Sequence, residues 1–176
     1  MATPSHNLPN VPGEPQHLVG CCLSISAPLF QHFARLIPPA SLVLSVGSGT
    51  GLLEALLQES LPALRIEGVE VSLNVNKYMP ADRVNLVGGT WDIYPNASEA
   101  FALLFVYPRE SSLVRRYLQL CSRTAHVILW LGPRADWPDL QFNLEDSEFD
   151  CVEEVADCGL LPYEMMVAIS KLQPKT

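Results

Sequence analysis

Apolar residues return along this chain in two rhythms. In one, Leu29, Phe30, Phe33, Leu36 and Ile37 recur every three or four positions between Ser26 and Ile37, and Pro38-Pro39 ends the run. That spacing predicts an amphipathic helix. The same period returns in Leu52, Leu53, Leu56 and Leu57, with Glu54 and Gln58 on the other face of that helix. It returns again in Leu113, Val114, Tyr117, Leu118 and Cys121, where Ser111 or Ser112 can cap the start and Arg115, Arg116 and Gln119 face outward. In the other rhythm the apolar residues are short and nearly continuous. Leu42 to Val46, Arg65 to Val71, Val84 to Val87, Phe101 to Phe105 and His126 to Leu131 read as five strands.

Strands that alternate with helices predict an α/β domain. A run apolar on both faces, such as Phe101 to Phe105, belongs to a parallel strand covered on both sides. Between the second and third strands, Ser72 to Met79 leaves room for a short helix only. From Gly132 to Asp146 the chain is rich in turn residues and acids, with Trp137, Leu140 and Phe142 as anchors. Phe149 to Val155 and Glu164 to Leu172 then pair as an antiparallel hairpin through Gly159 and Pro162, giving six or seven strands.

The first strand runs directly into Gly47-Ser48-Gly49-Thr50-Gly51 and then into the Leu52 helix. Such a loop lets backbone approach a ligand closely, and the helix it opens presents unpaired N–H groups. A cofactor binder is predicted. A dinucleotide loop requires glycine at the sixth place, and Leu52 stands there. No Gly-Lys-Ser or Gly-Lys-Thr follows, which excludes a phosphate loop. Glu70 ends the second strand 19 residues beyond Gly51. An acid about 20 residues beyond the loop accepts hydrogen bonds from ribose hydroxyls in doubly wound nucleotide-binding folds.

The G-x-G-x-G spacing resembles the first motif of the class I S-adenosylmethionine (SAM) dependent methyltransferases. The resemblance implies a Rossmann-like doubly wound sheet of six or seven strands, mostly parallel with an antiparallel C-terminal strand, and helices on both faces. It implies a cofactor site of Ser45, Gly47, Ser48, Gly49, Thr50, Gly51, Glu70, Val71, Trp91, Asp92 and Tyr107. Glu70 would hold the ribose, and Val71, Trp91 and Asp92 the adenine. Tyr107-Pro108 is similar to the acceptor end of the family's fourth strand, but Val106 and Phe105 stand where nitrogen methylators carry an acid or amide. A second departure is Ser45, where the family usually has the acid that anchors the methionine end of the cofactor. Tyr107, Glu110 and His32 are the candidates for a catalytic base. Two readings stay open. One is a methyltransferase acting on a small molecule or a protein segment; the other is a methyltransferase-like domain that binds a ligand or a protein partner and catalyses nothing. A nucleotide-dependent oxidoreductase is disfavoured by Leu52.

Size and charge narrow the partners. The 176 residues suit one domain, over 16–176, behind a Pro-rich disordered tail over 1–15 that carries Pro4, Pro9, Pro12 and Pro15. With 19 acids against 11 bases the net charge is -8, and only Arg115-Arg116 adjoin, so nucleic acid is a poor substrate. No charged start is followed by an apolar h-region and no apolar run reaches membrane length, so neither a signal peptide nor a membrane span is expected. Cys21, Cys22, Cys121, Cys151 and Cys158 are odd in number and form no C-x-x-C pair, which argues against disulfides and zinc and for an intracellular setting, cytoplasmic with the nucleus left open.

Overall fold

A computed structural model describes residues 7–141, 144 and 147–171. Two short strands, β1 (Gln16–His17) and β2 (Ser24–Ile25), form a small antiparallel ladder ahead of helix α1 (Ala27–Leu36). Ser26 caps α1 by accepting from the Leu29 N–H, and Pro28 sits in its first turn. Strand β3 (Leu42–Val46) leads through the glycine loop to α2 (Leu52–Ser60), and β4 (Arg65–Glu70) and β5 (Val84–Leu86) follow. Then come β6 (Ala102–Val106), α3 (Ser111–Cys121), β7 (Val127–Pro133), α4 (Trp137–Gln141), β8 (Cys151–Glu154) and β9 (Glu164–Ser170).

Seven of these strands form one sheet in the order β5-β4-β3-β6-β7-β9-β8. The pairs from β5 to β7 are parallel, and β9 runs antiparallel to both of its neighbours. The expected Rossmann-like architecture is therefore the observed one. Period-two alternation divides the core between the sheet's two faces. Val43, Ile66, Leu104 and Leu129 pack under α1 and α2, while Leu44, Leu103, Phe105 and Ile128 pack under α3 and α4. None of the described helices is long and apolar enough to cross a membrane.

Local differences from expectation have local causes. The segment 72–79 is bends and turns with no helix, because Asn76 takes over the backbone groups: its Oδ1 accepts from the Met79 N–H and its Nδ2 donates to the Met79 carbonyl. The cap of α3 is Glu110, with Ser111 and Ser112 already helical. Residues 1–6 of the expected tail lie outside the described residues, as do Phe142 and Leu172. Of the rest of the tail, Leu8 and Val11 pack against the core, and the Pro12 carbonyl accepts from the Ala27 N–H at 2.8 Å. Two apolar anchors among the prolines suffice to seat this stretch.

Candidate functional site

Strand order reverses between β3 and β6, so the crevice of this sheet opens at their carboxyl ends. The glycine loop lies there. Gly47, Gly49 and Gly51 have φ of +78°, +57° and +76°, backbone that other residues adopt only under strain. Their surroundings differ. A Cβ on Gly47 or Gly49 would project into open space, whereas one on Gly51 would stand 2.6 Å from Met79 Cγ and 2.8 Å from Asn76 Oδ1. The first two glycines thus leave room above the loop, and the third lets the 76–79 turn pack beneath it. Thr50 fastens the loop on two sides: its Oγ1 donates to the Gly20 carbonyl at 2.6 Å, and its own carbonyl accepts from Lys77 and Tyr78.

Directly under the loop lies a residue the sequence places on the wrong face. Glu54 is only 3% exposed. It occupies the third position of α2, and helical side chains lean back toward the N-terminus, which carries its carboxylate toward Ser45. The Ser45 hydroxyl donates to Glu54 Oε1 at 2.6 Å, and Glu54 Oε2 is buried without a partner. Ser48 Oγ, fitted against Gly68, is likewise buried and unpartnered. Burial pushes the Glu54 carboxyl up to about 7, against the pull of the Ser45 hydroxyl and its own N–H, and the charge of Glu70 pushes the same way. The signal in the sequence was a single acid inside the apolar run Leu52 to Leu57.

Glu70 comes to the loop as its position at the end of β4 requires. Its Oε1 accepts from the Gly49 N–H at 2.5 Å and its Oε2 from the Val71 N–H at 3.2 Å, leaving a lone pair on each oxygen for a further donor. Val71 and Trp91 stand 44% and 71% exposed at the carboxyl ends of β4 and β5, two uncovered apolar surfaces. The Trp91 ring lies over Gly89, where a Cβ would meet it at 2.5 Å. Asp92 closes that turn by accepting from the Gly88 and Ile93 N–H groups at 2.8 and 2.9 Å, and these bonds hold its carboxyl below the usual range.

On the other side of the crevice Tyr107 follows β6 with φ +49°, a strained value for a side chain of its size. It is held by its N–H to the Leu131 carbonyl at 2.7 Å and by its hydroxyl, which donates to Glu164 Oε1 at 2.6 Å. Burial, then the bond to Glu164, raises the phenol well above its ordinary value. Glu164, 1% exposed at the start of β9, also accepts from the Ser24 N–H at 3.2 Å and from the Ser24 hydroxyl. Sequence reasoning passed over it. Tyr107 lines a cavity of about 410 Å³ with Cys22, Arg109, Trp130, Asp136 and Asp139. Glu110 is exposed and outside this lining, and His32 pairs with the Asp157 carbonyl at 3.2 Å. The three candidate bases are thus brought to three different places. A second cavity, of about 290 Å³, opens near the starts of β3 and β4, at the end of the sheet away from the crevice.

No protein-family model matches the sequence, and no curated protein matches it. Solved structures match its fold. Precorrin-6y C5,15-methyltransferase from Geobacter metallireducens superposes with a TM-score of 0.61 at 12% identity, over 83% of this chain and 86% of that one. The S-adenosylmethionine-dependent methyltransferase SibL in its apo form gives 0.55 at 18% identity, over 76% of this chain. Human N-acetylserotonin methyltransferase in complex with SAM gives 0.58 at 13% identity, over 82% of this chain. The chain spans about half the length of the last two. It has the fold of the class I SAM-dependent methyltransferases.

Proposed function

We propose that this chain binds SAM at the glycine loop and is a methyltransferase acting on a small molecule or a protein segment. The observation that carries the reading is the crevice itself: open space above Gly47 and Gly49, with the Glu70 carboxylate hydrogen-bonded to the loop. The residues fit the cofactor. Glu70 keeps acceptor capacity for two vicinal hydroxyls, and Val71 and Trp91 offer uncovered apolar surface to a flat ring. SAM supplies an electrophilic methyl on a sulfonium. Ser45, the loop and Glu70 would fix that methyl in place, and the cavity beside Tyr107 would hold the nucleophile. Alignment of this kind lowers a barrier by about 7–11 kcal/mol. Tyr107, whose single hydroxyl proton goes to Glu164, orients a nucleophile by accepting a hydrogen bond from it.

A second reading has its own support. With the phenol committed to Glu164, His32 to a carbonyl and Glu110 outside the cavity, no candidate base faces the acceptor side. A domain that binds ligand or partner without catalysis fits that arrangement. Calorimetric titration with SAM, S-adenosylhomocysteine and NAD tests the shared premise. Micromolar binding of the first two and none of NAD is expected. Gly49→Trp, which fills the space above the loop, should abolish it; retained affinity would move the site elsewhere. A methyl-transfer assay on protein that binds SAM separates the two readings.

A further inference from the structure

The glycine loop sits on two carboxylates. Glu54 and Glu70 lie near enough for the charge of Glu70 to raise the Glu54 carboxyl, and no cation is among the groups that shift Glu54. Its surroundings are otherwise neutral. Ser45 contributes a hydroxyl from β3, and Cys21, close enough to feel Glu54, is held as a thiol by burial that pushes it up to about 12. A buried carboxylate oxygen without a donor is a rare and costly arrangement. Glutamine would keep the Ser45 bond and remove the charge. The loop above is open, since neither Gly47 nor Gly49 has anything within 4 Å of where a Cβ would be. The Glu54 oxygen that lacks a donor thus lies buried beneath the loop, and the Glu70 carboxylate is bonded to the loop itself at the Gly49 N–H.

We propose that Glu54 binds the α-ammonium of the amino-acid end of the cofactor, with Oε2 as the acceptor and Ser45 fixing the carboxylate through Oε1. The assignment rests on the reading of the crevice as a SAM site. It makes Ser45 and Glu54 one unit: the hydroxyl orients, and the charge comes from the helix instead of the strand. It also divides the labour between the two acids. Glu70, bonded to loop backbone at the end of β4, faces neutral hydroxyls, and Glu54, beneath the loop, faces the cation.

The test compares two ligands that share the adenosine and a neutral thioether. S-adenosylhomocysteine carries the amino-acid end; 5′-methylthioadenosine lacks it. Calorimetry on the full chain should show Glu54→Gln weakening S-adenosylhomocysteine by about tenfold or more, as loss of a charged hydrogen bond implies, while 5′-methylthioadenosine binds as in the parent. Equal weakening of both ligands, or of neither, overturns the assignment. Ser45→Asp with Glu54→Gln returns an anion to the same place from the strand, and it should bind S-adenosylhomocysteine within a few-fold of the parent. A double variant that holds 5′-methylthioadenosine normally but S-adenosylhomocysteine no better than Glu54→Gln would also overturn it. Should the parent protein bind neither ligand, the SAM reading itself falls, and this assignment with it.

Discussion

Two glutamates are buried at the carboxyl end of the sheet, and they are treated in opposite ways. Glu164 accepts from the Ser24 N–H, the Ser24 hydroxyl and the Tyr107 hydroxyl, so its oxygens are satisfied by three groups of the protein. Glu54 receives one hydroxyl and keeps an oxygen with no donor. The first ties the β1–β2 segment and the strained Tyr107 to β9. The second ties little together, and burial works against its charge. The bonds of the one buried acid close within the fold, and those of the other do not.

The largest effect should come from Glu164. Glu164→Leu leaves three donors without an acceptor and should cost on the order of 4 kcal/mol, read as a lower urea midpoint with unchanged slope. A loss under about 1 kcal/mol would erase the structural half of the contrast. Glu54→Gln should act in the opposite sense in the ligand-free protein. The folded carboxyl titrates at about 7 against an ordinary 4.5, so ionising it opposes folding. The parent should lose stability as pH rises from about 4.5 to about 7 and stay level above, by about 3 kcal/mol in all. Glu54→Gln should lack that slope, and superimposable stability profiles between pH 5 and 8 would contradict the burial argument. Tyr107→Phe removes one of the three donors to Glu164 and should cost about 1–2 kcal/mol, checked by thermal unfolding. The smallest change is Trp91→Ala. With its ring 71% exposed, it should shift stability by less than about 0.5 kcal/mol while weakening SAM several-fold; unchanged affinity would remove Trp91 from the adenine surface.

The same contrast explains what the sequence revealed. Strand, glycine loop and helix are contiguous, so φ > 0 glycines and the Glu70 acid at the next strand end were legible from spacing. The sheet followed from apolar runs, and the antiparallel β9 from the C-terminal hairpin signal. Glu164 was not legible because its partners are Ser24, 140 residues away, and Tyr107, 57 away; no local pattern links them. Glu54 sits on the face that helical periodicity assigns to solvent, yet at this one turn it is 3% exposed, with Ser45 of β3 bonded to it and Cys21 close enough to feel its charge. The helix over 72–79 failed for a nearer reason, the competition of Asn76 for the backbone.

The central claim is that the raised Glu54 carboxyl is mostly protonated in the free protein at pH 6.5 and ionised by its ligand. Among its neighbours, Ser45 stays neutral, Cys21 stays a thiol, and Glu70 is the other charged group that acts on it. Binding of a cation to Glu54 must then release a proton. Calorimetric titration of S-adenosylhomocysteine at pH 6.5, repeated in two buffers of different ionisation enthalpy, measures that proton directly. The account predicts release of more than about half a proton per ligand by the parent, from a carboxyl near 7, and none by Glu54→Gln. Binding with no proton released by the parent, or with the same release by both proteins, would contradict it.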